Sequence, residues 1–225
     1  REPDAVAMPG LVDAASGLGR RHTGDESIGP AYRAADLFDT HADLRPTLAS
    51  GVTCVHLSPG EHRLITGQGA VARLGGPAGA RMLEARADLS VSLLDQVYAT
   101  PMLVTPLVPP SPDRQIEPGE RQRPGARITL LRALGKAFES VKQNDAVFPG
   151  PLGRAHAAAL RRALEEDLPL RIRADRAEDI VDGAAFARRH DRSAYVVGGA
   201  EALDALERVG GSPADGRHEL VYLVE

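Results

Sequence analysis

The residues best placed for chemistry cluster in Leu168–Ile180, where Arg173, Asp175 and Arg176 follow the apolar run of Leu168, Leu170 and Ile172. Charged groups at the point where a strand gives way to a loop lie, in β/α proteins, at the end of the sheet that binds ligands. Arg173 and Arg176 carry planar guanidinium forks that match carboxylate and phosphate groups, so they are the candidate ligand-binding residues. Asp175 is a candidate catalytic acid or base. The same side chains also have quieter uses. Asp175 stands three positions before Glu178, a spacing suited to a helix N-cap, and both arginines suit ion pairs that hold the loop.

His56 is the second catalytic candidate. It alternates with Val55 and Leu57 near the end of a strand-like run, where it could face a pocket; a surface or hydrogen-bonded role is the competing reading. Asp95 and Glu201 would complete a metal-free acid–base set with His56 and Asp175. The remaining histidines, among them His62 in a glycine-rich stretch, are too dispersed in sequence to form a motif. Asp25 and Glu26 read as solvated loop charges. The single cysteine, Cys54, excludes an internal disulfide and reads as a small buried thiol. Gly67-Gln68-Gly69 lacks the spacing and the Lys-Ser/Thr pair of phosphate-binding glycine loops.

The elements that must position these groups follow from periodicity. Pro9-Gly10 reads as a turn feeding a short buried strand, and Ser16 to Gly29 as a loop. Asp36 to Ala49 reads as a helix, with its regular part after Pro46, and Val52–Leu57 as a strand. Glu61 to Gly79 reads as a glycine-rich connection. Leu89–Leu94 and Pro101–Val108 have strand length, the latter suiting an edge because of its prolines. The segment 109–127 is proline-rich and irregular. Helices are expected over Ile128–Val141, Pro151–Asp167, Ala177–Arg189 and Ala200–Val209, with strands at Leu168–Ile172, Ser193–Val197 and Leu220–Val224. That alternation points to parallel β/α structure, because each parallel crossover needs about a dozen residues.

A chain of 225 residues suits one domain, slightly shorter than the roughly 250 residues of a complete β/α barrel. A net charge of −4 gives no electrostatic footprint for nucleic acid. No apolar run is long enough to span a bilayer and no signal segment is evident, so a cytoplasmic location is expected; a segment removed before residue 1 stays open.

Several short motifs, in order from Asp4 to Val209, resemble the amidohydrolase superfamily, in particular its bacterial, imidazolonepropionase-like branch. Pro9-Gly-Leu-Val-Asp13 matches the first-strand motif; Pro30, Arg33, Ala34 and Asp36 match a second, and Gly51-Val-Thr-Cys-Val55 a third. Gly67-Gln-Gly-Ala-Val-Ala-Arg-Leu-Gly75 and the stretch Leu168–Ile180 extend the likeness. The resemblance implies an α/β, TIM-barrel-like metal-dependent hydrolase fold over residues 1–225, partial or incomplete, and cleavage of amide or related bonds with divalent metal. This chain departs from the pattern at the metal ligands. The two histidines of the first motif fall on Ala15 and Gly17, those of the later strand on Arg173 and Asp175, and a Glu and a His of the next strand on Gly198 and Gly199.

Zinc needs three or more imidazole, carboxylate or thiolate ligands, and an arginine at a ligand position repels a cation. The expectation is therefore a degenerate amidohydrolase-like protein with no cofactor, acting as scaffold, regulatory subunit or binder of an anionic small molecule. It would work as a homo-oligomer or beside an active relative, without nucleic acid or membrane partners. The alternative is an active hydrolase of C–N bonds in amides, cyclic amides or peptides, with Zn or another divalent metal bound by residues the motifs do not bring together.

Overall fold

The computed structural model describes residues 8–18, 27–98, 127–143, 146, 148–209 and 220–224. These residues build one seven-stranded sheet in sequential order: β1 (Leu11–Ser16), β2 (Val52–Leu57), β3 (Ile65–Arg73), β4 (Met82–Ser92), β5 (Leu170–Ala174), β6 (Ala194–Gly198) and β7 (Leu220–Val224). β1 pairs parallel with β2, and β4 to β7 pair parallel throughout, while β3 runs antiparallel to both its neighbours. Helices α1 (Ala34–Leu37), α2 (Arg45–Ala49), α3 (Asp95–Tyr98), α4 (Arg127–Lys142), α5 (Gly153–Glu165), α6 (Ala177–Arg189) and α7 (Ala202–Val209) connect and cover the strands. The second half is the expected β/α alternation. The architecture is α/β and similar to a partial TIM-like barrel.

The first half departs from the sequence reading at several places, among them β4, which starts at Met82 rather than Leu89. The glycine-rich Glu61–Gly79 contains a nine-residue strand, β3, because small residues let its backbone pair closely on both sides. Asp36–Ala49 is not one helix: α1 and α2 are separate, and the second opens with Pro46 in its first turn. β1 is a strand, yet Leu11 and Val12 are exposed, since β1 forms an edge of the sheet. Pro101–Val108, most of 109–127, Asp25, Glu26, His22 and His218 lie outside the described residues.

Side-chain alternation divides the sheet into two faces. Leu89 and Val91 of β4, Leu170, Ile172 and Ala174 of β5, and Ala194 and Val196 of β6 join the apolar core built with α4 to α7. Phe138 at its centre is fully buried and meets Phe186 edge-on at 5.1 Å, a burial worth about 1.5–3 kcal/mol. A smaller core joins Val55 and Leu57 of β2 and Ala70 and Ala72 of β3 to Ala34, Phe38 and Leu44. The alternate positions carry polar groups. Asp88, Ser90 and Ser92 of β4, Arg171 and Arg173 of β5 and Tyr195 of β6 all lie on this second face, with Ser90, Arg171 and Tyr195 in register.

Candidate functional site

On that polar face Asp88 is fully buried and collects three donors. His56 Nε2 stands 2.5 Å from its Oδ2, the Tyr195 hydroxyl donates to the same oxygen at 2.7 Å, and the Ser90 hydroxyl donates to Oδ1 at 2.8 Å. Burial pushes the Asp88 carboxyl up, but the His56 and Tyr195 hydrogen bonds and the Arg171 charge together outweigh it and hold the pKa below the ordinary aspartate value. An ionised carboxylate accepts only, so His56 must carry its proton on Nε2. Burial and the neighbouring Asp88 charge push the Tyr195 phenol far up, so it stays a donor. His56 Nδ1 is buried and has no hydrogen-bond partner among the described residues.

The contact depends on a missing side chain. Gly69 of β3 pairs with Asp88, and a Cβ there would fall 2.5 Å from Oδ2 and 2.6 Å from Oδ1. Only a glycine lets the carboxylate cross β3 toward β2.

The C-terminal ends of β4, β5 and β6 form a different arrangement, the mouth. Arg173 points between two carboxylates, with Nε 3.9 Å from Glu61 Oε2 and Nη2 3.8 Å from Asp175 Oδ1. Gly198 sits beside them with φ +93°, and a Cβ there would meet Asp175 Oδ1 at 2.3 Å and Arg173 Nη1 at 2.8 Å. The space is thus taken by a guanidinium and a carboxylate. Alongside, Arg176 binds Asp95 at 2.6 Å, and an open cleft of about 310 Å³ is lined by Leu94, Asp95, Gln96, Asp175, Arg176 and Asp179. Asp179 is itself held by Arg127.

The local cap differs from the sequence reading. The N-cap of α6 is Arg176, with no side-chain cap, and the first helical N–H, from Ala177, donates instead to the Glu201 carboxylate at 2.9 Å. Asp175 is therefore not the cap. Glu201, arriving from the β6–α7 connection, does the equivalent work from outside the helix.

The four groups available for acid–base chemistry lie in separate contacts. His56 goes to Asp88, Asp175 to Arg173, Asp95 to Arg176, and Glu201 to the α6 backbone. Among the described residues no group of three or more His, Cys, Asp or Glu side chains stands together in a way that could hold a metal ion. Ala15, Gly17, Gly198 and Gly199, which the sequence resemblance sets at ligand positions, carry no side-chain donor atoms. Sequence reasoning did not find Asp88, Ser90, Arg171 and Tyr195. Their signal was present as alternation: polar residues at every second position of apolar strands, in Asp88-Leu-Ser-Val-Ser92 and Leu170-Arg-Ile-Arg173.

No family model matches the chain, and no curated protein does. Among solved structures, an amidohydrolase from Thermotoga maritima MSB8 superposes with a TM-score of 0.71 at 21% sequence identity, covering 100% of this chain and 61% of that one. The likeness shows a shared fold, and this chain spans 61% of the length of that amidohydrolase. Among the described residues, no helix is long and apolar enough to cross a membrane.

Proposed function

We propose that this chain is an amidohydrolase-like domain, nearest in motif to the imidazolonepropionase-like branch, that has set metal-dependent hydrolysis aside and serves as a scaffold or regulatory subunit. In this reading the mouth takes a small anionic molecule through Arg173 and Arg176. The observation that carries the proposal is the Arg173 guanidinium, seated between Glu61 and Asp175 beside the side-chain-free Gly198. A fixed positive charge there balances acidic neighbours that a metal ion would otherwise draw together. Both arginines already face carboxylates, so an incoming carboxylate or phosphate must exchange with them. Exchange is easiest at Arg176, whose pair with Asp95 is half exposed.

Titration calorimetry with acetate, succinate and inorganic phosphate tests the ligand-binding part. Binding that is lost in Arg176→Gln and weakened in Arg173→Gln is the expected result; no heat and no thermal stabilisation with any of the three removes the anion-binding role. An amide-hydrolysis screen with and without Zn2+ tests the rest. Turnover that falls on substitution of Asp175 would replace this reading with an active hydrolase.

A further inference from the structure

The two apolar cores share one sheet but belong to different parts of it. The smaller is built on β2 and the second half of β3, the larger on β4 to β6 with the start of β3. His56 comes from β2, Asp88 from β4 and Tyr195 from β6, so the buried cluster reaches across the seam between them. We propose that His56, Asp88 and Tyr195 form a latch that couples the order of β2 and its small core to the β4–β6 body, and that Gly69 is the gap through which the latch closes. Neither the mouth nor any ligand takes part in this contact.

The chemistry ties three strands to one acceptor. Asp88 is a single buried acceptor shared by donors from three strands: Ser90 of β4 itself, His56 of β2 and Tyr195 of β6, with the Arg171 charge of β5 nearby. Withdrawing β2 removes one of the two donors to Oδ2 of a buried carboxylate and leaves Tyr195 as the other. β3 contributes no side chain to the contact. Its role is to be absent at Gly69.

Amide hydrogen exchange on the full chain, comparing wild type with His56→Gln and Gly69→Ala, tests the latch. Both variants are expected to speed exchange in residues 52–57 by about tenfold or more while residues 170–174 and 194–198 change by less than about threefold. Unchanged exchange in 52–57, or equal acceleration in all three strands, overturns the proposal. Coupling gives a second reading: in an Asp88→Ser background the added methyl of Gly69→Ala meets no carboxylate, so its effect on β2 exchange should largely vanish, and an undiminished effect counts against the latch. Where a variant fails to fold, nitrogen NMR of His56 in the wild-type chain decides. The latch requires a proton on Nε2, and a neutral ring protonated only on Nδ1 contradicts it.

Discussion

The base of the polar face and its mouth hold charge in opposite ways. At the base one carboxylate, Asp88, has no solvent exposure and is ringed by donors at 2.5–2.8 Å. At the mouth one guanidinium, Arg173, stands between carboxylates at 3.8 and 3.9 Å, and Asp175 is 40% exposed. At the base the Asp88 carboxylate is enclosed and hydrogen-bonded on both oxygens, so it serves the fold. The Arg173 contacts at the mouth are longer, although Arg173 and Glu61 are each only 14% exposed, and the half-exposed Arg176–Asp95 pair beside them is the one that can change partners at small cost. The two clusters thus point to different roles, and the difference lies in the sign of the central charge, its burial and the distances to its partners.

The comparison breaks most readily at Asp88. Asp88→Ala leaves His56 Nε2 and the Tyr195 and Ser90 hydroxyls without their acceptor and removes the negative charge beside Arg171, which should cost about 3–5 kcal/mol in denaturant unfolding. A loss under about 1 kcal/mol would put the base on a par with an exposed ion pair. The pH dependence follows from the same residue. Because its folded pKa is lowered, the Asp88 contribution is present above the unfolded value of about 3.9 and is lost as pH falls through the folded value. Acid unfolding of wild type should therefore be steeper below about pH 4 than that of Asp88→Asn.

At the mouth the larger effects should come from the backbone. Gly198→Ala places a methyl against Asp175 at a φ of +93° and should cost about 1–3 kcal/mol, read as a lowered urea midpoint. Glu201→Ala removes the acceptor of the Ala177 N–H and should cost about 1 kcal/mol, like a lost helix cap. Arg176→Ala breaks a half-exposed pair with Asp95 and should change stability by less than about 1 kcal/mol, with an effect that shrinks further in high salt. A large destabilisation there would mean that the mouth, too, is structural.

Much of the second half of the fold was legible because helices α4 to α7 and strands β5 to β7 carry regular apolar spacing with short connections. β3 was not, since Gly67, Gly69, Ala70 and Ala72 lack the bulky β-branched signature of a strand and pair through backbone alone. The mouth was legible as a local cluster: Arg173, Asp175 and Arg176 lie within four residues, and the structure places them at the β5 end as expected. Its outer partners come from distant segments: Glu61 from the β2–β3 connection, Asp95 from the start of α3 and Glu201 from the β6–α7 connection, and nothing local in the sequence joins them to Arg173. The base was hidden for the same reason. His56 and Asp88 are 32 residues apart and His56 and Tyr195 139 apart, and only the pairing of strands across Gly69 joins them.

Elemental analysis reads out whether the proposed loss of metal chemistry at the mouth is real. The purified chain would be incubated with excess Zn2+ or Mn2+ at neutral pH and freed of unbound ion. No ion should be retained in proportion to protein, in wild type and in Arg173→Gln alike, because Ala15, Gly17, Gly198 and Gly199 supply no side-chain donors. One or two ions held tightly per wild-type chain would contradict it and return metal-dependent hydrolysis to the front.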